Sequence, residues 1–196
     1  MTLKNIKLII LALAVVCLVK CWIYLHKINM SNLALIEKMI QPTLDEQTLD
    51  IIIKAKPKDK EILARTIFGE ASNQGEEGMT AVGNVILNRY RSNLPKYKTK
   101  DFEGIKSVIL KPYAFTVYND KKDENYNRMM SATKENESYA KALNIAEKLL
   151  TGKLKDNTDG ATHYFNPDEA DPYWKDSPLM TPLKKIGNHS FYLEAN

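Results

Sequence analysis

A carboxylate stands where an apolar stripe should continue. Leu63, Ile67 and Glu70 fall at i, i+4 and i+7 within LARTIFGEASNQGEEGMTAVGNVILNR, Leu63 to Arg89, a spacing that lines side chains along one face of a helix. An ionised carboxylate facing a core loses solvation, and the usual responses are a retained proton or a close partner. Glu70 is thereby suited to general acid chemistry. The alternative is a helix that ends here and turns the side chain to solvent. Gly69 and Ala71 flank the carboxylate with small side chains, and Gly75 and Gly78 bracket Glu76 and Glu77. The expectation is a narrow helix-break-helix corner that a substrate or a second helix can approach closely. Glu76 and Glu77 open the second helix, where negative charge complements the positive end of the dipole. That duty accounts for both without chemistry, although Glu77 is also a candidate for contacting substrate.

Other polar side chains fall where strands are expected. Tyr113 to Tyr118, YAFTVY, reads as a strand with Phe115 and Thr116 on opposite faces, so Thr116 either points at a cleft or is satisfied by backbone. Asp159-Gly160 signals a turn into a short strand, Ala161 to Asn166, with Thr162, Tyr164 and Asn166 on one face and His163 and Phe165 on the other. Aromatic rings beside polar strand faces suit sugars, whose apolar ring faces stack while their hydroxyls seek hydrogen bonds. Equally, Tyr164, Tyr173 and Trp174 could simply cap the sheet. His163 and His189 are the histidines outside the N-terminal region, no HExxH pattern occurs, and both cysteines, Cys17 and Cys21, lie near the N-terminus. Zinc peptidase chemistry, a Cys-His nucleophile and a disulfide framework are therefore poorly supported in the remainder. No GxSxG or phosphate-cradling glycine loop is present. Carboxylate acid-base work is what remains.

These residues resemble the SleB-type cell wall hydrolases of spore-cortex-lytic enzymes and of phage and bacterial muralytic proteins. The resemblance rests on Ala64-Arg65, Gly69-Glu70-Ala71, Glu77-Gly78, Ala81-Val82 and Ile86-Leu87-Asn88-Arg89. It continues in Ala114-Phe115-Thr116, Tyr164-Phe165-Asn166-Pro167 and Lys185-Ile186-Gly187-Asn188-His189-Ser190-Phe191. One departure is Ser72-Asn73-Gln74-Gly75, where that family often carries an arginine-glycine-glutamate run. The resemblance implies peptidoglycan glycan strands as substrate and the lytic transglycosylase reaction, in which the 6-hydroxyl of N-acetylmuramic acid attacks its own anomeric carbon. Glu70 would then be the acid and base, with Glu77, Thr116, Tyr164 and Asn166 as candidate substrate-binding residues and no metal or cofactor. A hydrolytic glycosidase would instead need a second carboxylate, for which Glu76, Glu77 and Asp168 are the candidates. A non-catalytic wall-binding module is the alternative from another class, but binding alone needs no proton donor on an apolar face.

The elements that must position these groups follow from the rest of the chain. Lys4 and Lys7 precede the apolar run Leu8 to Val19, which Trp22 to Leu25 extend past Lys20 to about the length of a membrane span. Residues 1–29 are read as an uncleaved transmembrane signal anchor, with the N-terminus inside and the domain on the periplasmic or cell-wall side. Residues 30–60, with Pro42 and Pro57 and no sustained apolar pattern, read as a stalk, and residues 61–196 as the hydrolase domain. Asp59 is expected to cap the first core helix. Ile105 to Leu110 reads as a short helix stopped by Pro112, Asn119 to Lys134 as a long charged loop, and Ser138 to Leu150 as a core helix ended by Gly152. Leu183 to Tyr192 reads as a hairpin turning at Gly187-Asn188. The expected fold is α+β, a lysozyme-like helical lobe with a small antiparallel sheet. With 196 residues, 44% hydrophobic content and scattered lysines giving a net charge of +4, the expectation is a monomer that meets the wall and the membrane but no nucleic acid.

Overall fold

The computed structural model describes residues 57–195. The signal anchor and nearly all of the expected stalk lie outside them. Among the described residues no helix is long and apolar enough to cross a membrane.

Two helices joined at a tight corner begin the fold: α1 (Pro57–Ala71) and α2 (Gly75–Arg91). The Gln74 N–H closes the corner on the Ala71 carbonyl at 3.0 Å. Glu76 and Glu77 occupy the first turn of α2 and Arg89 and Arg91 its last, so charge complements the helix dipole at both ends. Asp59, expected as a cap, lies inside the first turn of α1 and is buried. Then follow α3 (Lys106–Ile109), α4 (Glu124–Ser131) and α5 (Glu137–Leu150). Leu63, Ile67 and Phe68 of α1 pack with Val82 and Ile86 of α2 and with Ile145 and Leu149 of α5 in the main core.

Three strands form an antiparallel sheet: β1 (His163–Phe165), β2 (Met180–Ile186) and β3 (His189–Glu194), in the order β1-β3-β2. The β2–β3 hairpin turns at Gly187-Asn188, and its register slips between Pro182 and Lys184, where proline withholds a ladder donor. A second apolar cluster joins Ala81 and Val85 of α2 to Ala161, Ile186 and Phe191. α2 is therefore buried on two faces, one against helices and one against the sheet.

Two further expectations are corrected. YAFTVY is not a strand: Lys111 to Ala114 make a turn, Phe115 is extended, and Thr116–Tyr118 form one turn of 3₁₀ helix. The alternation survives without a sheet, since Phe115 and Val117 are buried and Thr116 is exposed, because this segment packs directly on the helical core. Asn119 to Lys134 is not a plain loop either, because Asp123 accepts the Asn125 N–H at 2.7 Å and starts α4. Met129 is fully buried there, and Arg65 of α1 ties its Nη1 to the carbonyls of Met129 at 2.7 Å and Met130 at 2.9 Å. Tyr126 packs against the same core, and Arg128 lies over the Phe68 ring at 4.7 Å, so a few apolar and cationic contacts dock this polar helix.

Candidate active site

Glu70 ends the apolar stripe of α1 half-buried, and three donors from two other segments converge on it. The Val117 N–H donates to Oε1 at 2.9 Å, the Thr116 hydroxyl reaches Oε1 at 3.1 Å and Oε2 at 3.3 Å, and the Tyr164 hydroxyl donates to Oε2 at 3.0 Å. Desolvation, then the adjacent Glu70 charge, push the Tyr164 pKa well above that of a free phenol. Tyr164 therefore stays a neutral donor. Its ring lies 4.9 Å from His189 and 5.7 Å from Phe191, a packing that aims the hydroxyl at the carboxylate. The 3₁₀ turn explains the Val117 contact: its N–H is directed at Glu70 and not into a sheet. Gly69 makes the approach possible, since a Cβ there would fall 2.8 Å from Val117 Cγ2 and 3.1 Å from Met129 Sδ.

Behind these donors lies a buried arginine. Arg89 Nε donates to the Thr162 carbonyl at 2.6 Å and Nη1 to the Ala114 carbonyl at 3.3 Å, with its guanidinium over the rings of Tyr97 and Phe115 at 5.7 and 5.2 Å. Burial draws its pKa below the usual arginine value, while Tyr164, Tyr97, Glu194 and Glu70 act in the opposite sense. The group stays charged, as arginine does in proteins. Ala114 precedes Thr116 and Val117 in the chain, and Thr162 precedes Tyr164. One side chain thus straps together the two segments that present donors to Glu70.

Glu70 opens into a cleft of about 1110 Å³. α4 contributes Asn125 and Arg128 to its lining and the sheet lobe contributes Phe165, Asn166 and Trp174. Two further carboxylates line it, Glu169 and Glu194. Glu194 is already engaged, accepting from the Tyr97 hydroxyl at 2.7 Å and pairing with Lys96 at 3.1 Å. Burial alone would raise its pKa, but the bonds from Tyr97 and Lys96 hold it below the usual glutamate value. Burial pushes Tyr97 up to about 12, and burial together with the Arg89 charge lowers His163 to about 4. This side of the cleft is a neutralised, hydrogen-bonded wall.

Of the residues singled out from sequence, Glu70, Thr116 and Tyr164 meet in one hydrogen-bonded group. Asn166 lines the same cleft but spends its Oδ1 on the Asp168 N–H at 3.1 Å. Glu77 is not brought there: it is exposed in the first turn of α2, outside the cleft lining, and its carbonyl accepts from Asn157 Nδ2 at 3.1 Å. Asp168 is exposed and outside the lining as well. Sequence reasoning missed Arg89 and the Val117 N–H. A signal for Arg89 existed, since Val82, Ile86 and Arg89 repeat the spacing of Leu63, Ile67 and Glu70. A backbone donor such as Val117 carries none. Among the described residues no group of three or more His, Cys, Asp or Glu side chains is placed to hold a metal.

Comparison with known proteins bears on the family and the fold. Relatives include a spore cortex-lytic enzyme of Halalkalibacterium halodurans, 31% identical over 135 residues, covering 68% of this chain but 34% of that protein. The cell wall hydrolase CwlJ of Bacillus subtilis is 27% identical over 145 residues, covering 72% of this chain and 89% of its own length. The chain thus spans about a third of the first relative and most of the second. Among solved structures, the catalytic domain of the germination-specific lytic transglycosylase SleB from Bacillus anthracis matches with a TM-score of 0.50 at 29% identity, covering 70% of this chain and 96% of that one. The catalytic domain of the Bacillus cereus SleB protein matches with a TM-score of 0.52 at 27% identity, covering 69% and 90%. The profile of the family described as Cell Wall Hydrolase matches residues 73–192, beginning just after Glu70. With more than half of its length matched by that profile, and its helical lobe and three-stranded sheet shared with these catalytic domains, the chain belongs to the cell wall hydrolase family.

Proposed function

We propose that this protein cleaves peptidoglycan glycan strands between N-acetylmuramic acid and N-acetylglucosamine as a lytic transglycosylase, with Glu70 as the acid and then the base. The observation that carries this reading is a half-buried carboxylate in a large cleft, held by three donors. Glu70 gives its proton to the glycosidic oxygen as the bond to the muramic anomeric carbon breaks. The carboxylate left behind is the form that Thr116, Val117 and Tyr164 stabilise by donation. It then takes the proton of the muramic 6-hydroxyl as that oxygen closes on the anomeric carbon, forming a 1,6-anhydro end. No second carboxylate takes part. Hydrolysis would need one, and in this cleft that means Glu169 or the already engaged Glu194.

Digestion of purified cell walls followed by mass spectrometry tests the reaction. Anhydro-muramic ends are expected; only reducible ends would refute transglycosylation and leave Glu70 as the acid of a hydrolase. Glu70→Gln keeps the shape and removes the transferable proton, so wall clearing should fall by roughly 10²-fold or more. Wild-type clearing by a folded Glu70→Gln protein would end the proposal. We further propose that residues 1–29 anchor the chain in the membrane and place the catalytic domain outside the cytoplasm, on the strength of the apolar run and the flanking Lys4 and Lys7. A reporter active only outside the cytoplasm, fused after Asn196, should be active.

A further inference from the structure

Among the described residues, the two most exposed large apolar side chains are Tyr173, 94% exposed, and Tyr113, 88% exposed. Both line the cleft of Glu70. Tyr113 carries a second oddity. The Ala114 N–H donates to the Lys111 carbonyl at 3.1 Å, Pro112 follows Lys111, and Tyr113 has φ of 63°. This is the signature of a type II turn, whose third position calls for glycine because a Cβ is strained at positive φ. A bulky aromatic residue there costs stability, and an exposed ring returns little by packing within the chain. Nor is the turn loosely held, since Arg89 grips the Ala114 carbonyl and Thr116 and Val117, just beyond, donate to Glu70. The strained residue lines the same cleft as the acid, three residues before Thr116, which donates to it.

We infer that Tyr113 is a substrate-contact residue, a platform on which an N-acetylhexosamine ring of the glycan strand stacks next to the bond that Glu70 protonates. The inference rests on the glycan-cleaving reading above. A pyranose offers an apolar face of C–H groups that a tyrosine ring matches, while its hydroxyls remain free for polar groups such as those lining this cleft. Tyr173, on the 3₁₀ turn Tyr173–Asp176, is a second ring of the same kind but without the strain.

The test measures binding of sonicated, peptidoglycan-derived glycan strands by calorimetry in the Glu70→Gln background, for Tyr113 and for Tyr113→Phe, Tyr113→Ala and Tyr113→Gly. Removing the ring in Tyr113→Ala and Tyr113→Gly should weaken binding roughly three- to tenfold, with Tyr113→Phe unchanged, because the ring face and not the hydroxyl is used. Tyr113→Gly should also melt higher than Tyr113→Ala, since only glycine relieves the turn. Unchanged binding by Tyr113→Ala, or an equal loss in Tyr113→Phe, overturns the platform while the parent still binds. If the parent does not bind and the wild-type chain does not cleave the same strands, the glycan-cleaving reading fails, and this inference with it.

Discussion

At the scale of single residues, the site depends on how a carboxylate is held by its neighbours. Glu70 is reached by one backbone and two side-chain donors, and each helps to orient the carboxylate and to stabilise it once its proton has gone. Tyr164→Phe removes one donor but keeps the ring that packs on His189 and Phe191. A hydrogen bond to a charged group is worth about 1.5–3 kcal/mol, so wall-clearing kcat/KM should fall about ten- to hundredfold. The far-ultraviolet circular dichroism should stay that of the wild type. Full activity in Tyr164→Phe would mean that Thr116 and Val117 suffice. Glu70 was legible from sequence because a charged side chain interrupts an apolar period, and the same logic applied to α2 would have found Arg89.

At the scale of elements, what matters is how close α1 comes to the segment bearing the donors. The approach depends on Gly69, where a Cβ would meet the stiff, β-branched Val117 at 2.8 Å. Gly69→Ala should therefore destabilise the protein by about 1–3 kcal/mol, as overpacking does, and also move the Val117 N–H away from Glu70. Thermal melts and clearing assays on the same preparation separate the two effects. An activity loss is expected even at temperatures where the variant is fully folded, and full activity there would show that the donor segment yields without cost. The helix corner is coupled to the sheet at a second point, where Gln74 Oε1 accepts the Asn188 N–H at 2.8 Å beneath the hairpin turn. Gly187 at that turn has φ of 57°, and a Cβ on it would lie 2.6 Å from the same oxygen. Ser72 to Gly75, where the chain departs from the resembled family, thus includes the residue that docks the hairpin.

At the scale of the whole molecule, the sheet carries wholly or partly buried titratable groups, and stability should depend on pH. His163 has a folded pKa of about 4, below the 6.5 of a free imidazole, because burial and then Arg89 disfavour its charged form. Between those values the unfolded chain takes up a proton that the folded chain refuses. Stability should therefore fall as pH drops from about 6.5 towards about 4. Burial lowers the pKa of His189 as well, which acts in the same direction. Glu194, held below its usual pKa, contributes stability that is lost at still lower pH. Melting temperatures measured across this range should show a shallower slope for His163→Phe than for the wild type. An unchanged slope would assign the pH dependence elsewhere.

The sequence by itself determined the helices that alternate apolar and polar side chains over several turns, the hairpin at Gly187-Asn188, and the choice of Glu70 as the candidate acid. Each is written in a local period or a turn signal that neighbouring residues enforce. Only the tertiary structure decided that YAFTVY packs as a turn and a 3₁₀ segment, because its alternating burial comes from the helical core beneath it and not from strand partners. The same holds for α4, which one capping aspartate, one buried methionine and contacts from Arg65 stabilise against a composition that reads as loop. It also holds for the site, where Glu70, Val117 and Tyr164 lie far apart in sequence and meet because Arg89 binds carbonyls from both donor segments. Such contacts leave no periodic trace, since backbone groups look alike in every residue and a buried cation chooses its partners only once the chain has folded.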